Sequence, residues 1–196
     1  MTTIQIQAIG NFLTYYKADL NYIRRFQDFK NGKITPENYI KKEEGSFYSF
    51  LIEFRVVRNF PSGTVNKLLA ETSKWIKKEN PDDVDLFAET LANSGLTRGK
   101  VMASMASKIL FLNNPWEIIP MDSLARKTLK QKENKYIIYN QNLIKFRNKN
   151  EKLFESSLNY MNPLTEIIHN EFEDLENLNL ICKNRIVDKL LWTNGK

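Results

Sequence analysis

The sequence predicts an all-α fold, a single-domain multi-helix bundle that comprises residues 1–196. Apolar residues recur at spacings of three and four along most of the chain, as they do on the buried face of a helix. No run alternates apolar and polar residues for long enough to indicate a strand. The seven glycines and six prolines are few, and they fall at the expected helix boundaries.

The first half of the chain predicts five helical segments. The longest covers residues 4–29, and Asn31 and Gly32 end it. A short segment begins at Thr35 and Pro36, with the proline at a favourable first position. The remaining three are an apolar helix over residues 46–60 that Pro61 ends, a helix over residues 64–78, and a helix over residues 84–93.

The second half predicts five more helices, separated by short loops. They are residues 100–112, a helix that begins near Asp122, residues 136–147, residues 151–175 with a break at Pro163, and residues 180–192. On the last helix, Arg185 and Asp188 are three residues apart, a spacing that predicts an ion pair on one helix face.

The composition excludes several classes of site. Cys182 is the only cysteine, which rules out an internal disulfide and a cysteine-cluster zinc site. His169 is the only histidine, so a multi-histidine metal centre is impossible, and we expect an ordinary semi-buried histidine there. No metal and no cofactor are expected. No segment approaches the ~20 apolar residues of a membrane span, so we expect a cytoplasmic protein without a membrane partner.

Positive charge is concentrated between residues 98 and 135. This segment carries eight basic and three acidic residues, a net charge of +5 out of +6 for the whole chain. At its start, Arg98, Gly99 and Lys100 precede a predicted helix whose free backbone N–H groups favour an anion such as phosphate. The charge pattern therefore favours an acidic partner, nucleic acid among them.

The loop of residues 113–122 is unusually apolar. Ile118, Ile119 and Met121 are expected to insert into the core and to hold Asp122 in a fixed position. Because Pro120 disfavours helical angles in the residue before it, a new helix can begin just after it. Asp122 is then a natural N-cap, and capping alone is a sufficient explanation for this residue.

These residues resemble the helix-hairpin-helix DNA glycosylases. The resemblance rests on a Gly-Lys helix start at Gly99 and Lys100, a small-residue helix, a proline-bounded loop, and the Pro-Met-Asp sequence that ends in Asp122. It implies that Asp122 is the catalytic aspartate and Lys100 the attacking lysine of bifunctional members. It also implies an aromatic pocket for a base flipped out of duplex DNA.

The remaining candidate residues follow from that resemblance. Candidates for the base pocket, chosen by residue type, are Trp116, Phe47 and Tyr48. Candidates for contacts with nucleic acid are Arg98, Gly99, Lys108, Arg126, Lys127 and Lys130. Arg55 and Arg58 stand in an apolar run, where a buried partner, a phosphate or a snorkelling side chain each fit.

Three functions remain open from the sequence. The first is a DNA glycosylase-like protein that recognises or excises a flipped damaged or modified base, with Asp122 as its acidic centre. The second is a non-enzymatic helical DNA-binding or phage-defence module. The third is a helical protein-interaction domain whose basic surface meets an acidic protein. The sequence indicates neither the base nor the oligomeric state.

Overall fold

The computed structural model describes residues 1–61 and 63–196, with Asn59 described by its backbone alone. This part of the chain forms ten α-helices and one turn of 3-10 helix over Val57–Asn59, and it contains no strand. The helices are α1 (Thr3–Lys30), α2 (Pro36–Tyr39), α3 (Phe47–Glu53), α4 (Val65–Trp75), α5 (Val84–Asn93), α6 (Ala103–Asn113), α7 (Ser123–Thr128), α8 (Tyr136–Lys149), α9 (Glu151–Glu171) and α10 (Leu178–Gly195). The predicted all-α fold class is confirmed.

Helices α1 and α10 organise the bundle. The first begins in a capping box, in which Thr2 and Gln5 satisfy each other's free backbone N–H groups. Its buried stripe of apolar side chains packs against α10, α6 and α9. The far end of α10 packs against α7, where Gly195 approaches the backbone so closely that a Cβ atom there would lie 2.2 Å from the Leu124 carbonyl oxygen. Helix α10 thus connects α1 with the helix that begins after Asp122.

One continuous hydrophobic core fills the space between the helices. A group of aromatic rings from α1, α2 and α3 forms one end of it, including Tyr39, Phe47 and Phe50. Phe47 is 0% exposed and has no free ring face on which a base could stack. For this reason we do not retain Phe47 as a base-pocket residue.

The apolar segment of residues 46–60 is not one helix, as its sequence predicts. Helix α3 has only seven residues and ends in a left-handed turn at Arg55, which has a φ of 56°. The Arg55 N–H donates to the Ile52 carbonyl oxygen (2.9 Å), and the Val56 N–H donates to the Leu51 carbonyl oxygen (2.7 Å). This pair of bonds is the Schellman motif, which satisfies the last carbonyl groups of a helix.

The predicted break at Pro163 is also wrong, because α9 continues through it from Glu151 to Glu171. Proline removes one N–H donor from the helix. Pro163 is exposed, so water can satisfy the carbonyl oxygen that loses its partner, while Met161 and Ile168 keep the opposite side of α9 in the core. Among the described residues, no helix is both long enough and apolar enough to cross a membrane.

Candidate functional site

The loop between α6 and α7 is held by side chains from three helices. Met121 is fixed from α6: Ser104 Oγ donates to its carbonyl oxygen (2.6 Å), and its N–H donates to Ser107 Oγ (3.0 Å). The other contacts are Tyr136 with the backbone of Ile119, Tyr139 with the Pro120 carbonyl oxygen, and Asn184 with the carbonyl oxygens of Pro115 and Trp116. Ile118, Ile119 and Met121 are at most 2% exposed, as predicted.

Asp122 follows this fixed loop and begins α7. Its Oδ1 atom accepts the N–H of Ala125 at 2.7 Å, which confirms the predicted N-cap. The side chain is half-buried, and within residues 1–61 and 63–196 its Oδ2 atom makes no hydrogen bond or ion pair. The cap therefore uses one carboxylate oxygen and leaves the other available.

Lys108 lies one turn along α6 from Ser104, on the same helix face, and within electrostatic range of Asp122. Its Nζ atom donates to the Phe54 carbonyl oxygen at 3.0 Å. Burial lowers the pKa of the Lys108 ammonium group; Asp122 and Asp188 oppose this shift, while Arg58 and Arg55 add to it. The net effect is a lower pKa, so Lys108 loses its proton more readily than a lysine exposed to water does.

A buried network of charges joins α1 and α10. Arg185 pairs with Asp19 of α1 and with Asp188 (3.0 Å), and the Arg185 and Asp19 side chains are 3% and 4% exposed. The predicted pair of Arg185 and Asp188 is confirmed, and Asp19 is an additional partner. Burial raises the pKa of Asp188; Arg185 and Lys189 oppose this shift, and Asp122 adds to it.

Helices α5 and α6 form a hairpin whose turn carries cations. Gly95 ends α5 with a φ of 77°, and the Lys100 N–H donates to the Thr97 carbonyl oxygen at 3.1 Å. Between them, Arg98 and Gly99 both have positive φ angles, of 54° and 73°, as in a type I′ turn. Arg98 and Lys100 are exposed, so both can reach a ligand at the tip of the hairpin.

The structure distinguishes between the two candidate lysines. Lys100 lies in this exposed turn, before the first residue of α6, and no hydrogen bond or ion pair of its side chain occurs in the described part of the chain. Lys108 is the partly buried lysine that shares its surroundings with Asp122. The sequence places Lys108 among the nucleic-acid contacts, whereas the structure places its ammonium group on the Phe54 carbonyl oxygen and within electrostatic range of Asp122.

The other predicted residues have diverse surroundings. Arg126 is half-buried, and its Nη1 atom donates to the carbonyl oxygens of Lys132 and Glu133, so it stabilises its own loop. Lys127 and Lys130 are exposed. Trp116 is half-buried at the start of the loop. The Lys42 ammonium group lies over the Tyr48 ring, which is near the start of α3, whereas Phe54, the contact of Lys108, follows the end of this helix. His169 is half-buried and bonds Asn179, as expected of an ordinary histidine.

The sequence did not predict Tyr139 or Asp19 as residues near Asp122, and it predicted Asp188 only as the ion-pair partner of Arg185. Tyr139 is 0% exposed, and its hydroxyl group donates to the Pro120 carbonyl oxygen at 3.3 Å, two residues from Asp122. Asp19 is a buried carboxylate within the apolar stripe of α1, where an acidic residue is rare unless it has a charged partner. That unusual position is the sequence signal that could have revealed this part of the site.

Comparison of the chain with protein-family models, with curated protein sequences and with solved structures found no match.

Proposed function

We propose that this protein binds duplex DNA and excises a damaged or modified base, with Asp122 and Lys108 as its reacting groups. The observation that carries the proposal is a carboxylate fixed at a helix start, within electrostatic range of a partly buried lysine. Perturbed titratable groups in one partly buried cluster are typical of active sites. The resemblance of residues 97–128 to the helix-hairpin-helix glycosylases supplies the reaction class.

Asp122 would stabilise positive charge on the sugar as the bond between C1′ and the base breaks. Its Oδ1 atom stays bonded to the Ala125 N–H, so Oδ2 is the atom that can face the sugar. Because Ser104, Ser107 and Tyr139 fix the preceding backbone, this oxygen would be positioned before the substrate binds.

Lys108 replaces Lys100 as the candidate nucleophile in this proposal. A neutral Lys108 amine would donate its lone pair to C1′, while the electrons of the glycosidic bond leave with the base, which takes up a proton. The nitrogen then loses its protons, and its lone pair forms the C=N bond as the C1′–O4′ bond breaks and O4′ takes up a proton, giving a ring-opened imine that water hydrolyses. The Phe54 carbonyl oxygen accepts one N–H of Lys108, which fixes the direction of the side chain.

Base release from duplex oligonucleotides that contain single modified bases tests the proposal. We expect release by the wild-type protein and its loss in Asp122→Asn, in which the asparagine still caps α7. Borohydride should trap a covalent complex between the wild-type protein and DNA. This complex should disappear in Lys108→Gln and remain in the matched control Lys100→Gln.

Two results would contradict the proposal. Full base release by the folded Asp122→Asn variant would exclude the aspartate as the reacting carboxylate. Salt-dependent DNA binding with no release from any modified duplex would favour the second candidate function, a DNA-binding module without catalysis. The exposed cations of the hairpin and of α7 favour that alternative equally.

A further inference from the structure

Within residues 1–61 and 63–196, four residues other than glycine adopt positive φ angles, and three of them are cations. They are Arg55, Arg98, Lys130 and Asn177, with φ between 54° and 56°. A left-handed conformation is unfavourable for residues with a Cβ atom, and asparagine tolerates it better than most. The other five positive-φ positions in the described part of the chain are glycines. The three cations therefore occupy positions where their side chains are a conformational disadvantage.

Each of the three turns is one in which glycine is usual. Arg55 and Lys130 follow the last turns of α3 and α7 in Schellman motifs; at the second, the Gln131 N–H donates to the Arg126 carbonyl oxygen at 2.9 Å. Arg98 is the first central residue of the type I′ turn, where asparagine, aspartate or glycine is preferred. A cation at a helix C-terminus also gains from the helix dipole, but Arg98 does not follow a helix end, so the dipole does not explain all three.

All three side chains are exposed to solvent. Within residues 1–61 and 63–196, none of them forms an ion pair. They therefore do not stabilise the fold through a carboxylate partner, and their charges are available to a ligand.

The three cations lie on the elements that surround Asp122 and Lys108. Arg55 directly follows Phe54, whose carbonyl oxygen holds Lys108 Nζ, and it is within electrostatic range of that lysine. Arg98 lies in the hairpin that leads into α6. Asp122 precedes α7 and Lys130 follows it, and this six-residue helix is about 9 Å long. Exposed cations on three separate elements can contact separate phosphates of one duplex.

We propose that Arg55, Arg98 and Lys130 are a set of phosphate contacts to duplex DNA, held at strained positions because their charges bind the ligand. Positively charged side chains near phosphates provide affinity without reading the sequence. This inference rests on the DNA binding in the proposed function but not on base excision. Arg55 is the new member of the set, and the site extends through it onto α3.

Glycine substitution tests the proposal cleanly, because glycine retains each turn and removes only the side chain. The triple variant Arg55→Gly, Arg98→Gly and Lys130→Gly should keep its Tm or raise it, by up to about 4 °C per site. Its affinity for a fluorescein-labelled duplex oligonucleotide should fall by at least about tenfold. The slope of log K against log salt should become less negative by about 0.9 for each lost contact.

Two variants serve as matched controls. Asn177→Gly also removes a side chain from a left-handed position, but this side chain is uncharged. The substitution should therefore leave both the DNA affinity and the salt slope unchanged. Lys152→Gln removes an exposed positive charge from the ordinary helical backbone of α9 and should leave the salt slope unchanged.

The results separate this inference from the proposed excision. An unchanged salt slope in the triple variant would overturn the inference, even if the wild type releases bases through Asp122. A lowered Tm would also overturn it, because the cations would then be stabilising the fold. A reduced slope with a retained Tm would support it even if no modified base is ever released.

Discussion

Asp122 is positioned by two sets of contacts, and only one of them uses its own carboxylate. The serines of α6 hold the backbone of Met121, while Asp122 Oδ1 caps α7. Capping and catalysis are therefore compatible at this residue, since they use different oxygen atoms. In the sequence, capping and catalysis are alternative explanations for Asp122. In the structure, the cap occupies only one of its two carboxylate oxygens.

Substitutions at Asp122 should separate stability from activity. Asp122→Ala removes the cap and should lower the free energy of unfolding by about 1 kcal/mol, whereas Asp122→Asn should change it far less. Urea unfolding of both variants measures this difference. If both variants lose base release but only Asp122→Ala loses stability, the carboxylate has a role beyond capping. Equal stability losses would contradict the assignment of the cap.

The lowered pKa of Lys108 predicts a pH-dependent contribution to stability. The unfolded chain binds a proton at this lysine up to its ordinary pKa, whereas the folded protein releases it at lower pH. Between those two values the unfolded state binds more protons, so stability attributable to this site rises with pH. Below both values Lys108 is charged in both states, and its burial is a constant cost.

Urea unfolding of the wild-type protein and of Lys108→Met from neutral to alkaline pH measures this effect. The stability of the wild type relative to the variant should increase as the pH approaches the ordinary lysine value. Lys100→Met, at an exposed turn, should show no such trend. A wild-type stability that falls relative to Lys108→Met over this range would contradict the lowered pKa.

At the scale of the helices, sequence patterns predicted most of the elements and missed the features that depend on contacts between them. The stripe of α1, the caps of α2 and α7 and the apolar loop before Asp122 were recognisable because local residue types determine them. The early end of α3 depends on a left-handed arginine, which no sequence rule favours over glycine. The proximity of Lys108 to Asp122 depends on how α6 packs against the loop.

The ion pair between α1 and α10 gives a prediction for these elements. Removal of Asp19 leaves the buried Arg185 guanidinium with Asp188 as its remaining carboxylate partner, so Asp19→Ala should destabilise the protein by about 3 kcal/mol. The double variant Asp19→Ala with Arg185→Met should lose less stability than the sum of the losses in Asp19→Ala and Arg185→Met. Urea unfolding of the single and double variants gives the coupling energy, and additive effects would show that the pair is not coupled.

As a comparison, Lys17→Ala breaks an ion pair with Glu171 in which the lysine side chain is 64% exposed. It should have little effect, because exposed ion pairs are screened by water and salt. A loss as large as that of Asp19→Ala would mean that exposure does not distinguish the two pairs.

At the scale of the whole molecule, α10 joins most parts of the fold. It pairs with α1, contacts α7 along its far end and holds the loop before Asp122 through Asn184. Opening of α10 would therefore dismantle both the core and the candidate site. Cys182, the only cysteine, lies half-buried on this helix and reports on that opening without interference from other thiols.

Burial raises the pKa of the Cys182 thiol to about 12, so almost no reactive thiolate exists at pH 8 in the folded state. Reaction with an excess of iodoacetamide should be slow at that pH, and its rate should rise about tenfold for each unit of increase in pH. Urea concentrations that unfold the protein should remove this protection and restore ordinary thiol reactivity. If Asp19→Ala loosens α10 before global unfolding, its Cys182 should react faster than the wild-type thiol without urea, while Lys17→Ala should react at the wild-type rate. Equal rates in all three proteins would show that the buried ion pair does not control the opening of α10.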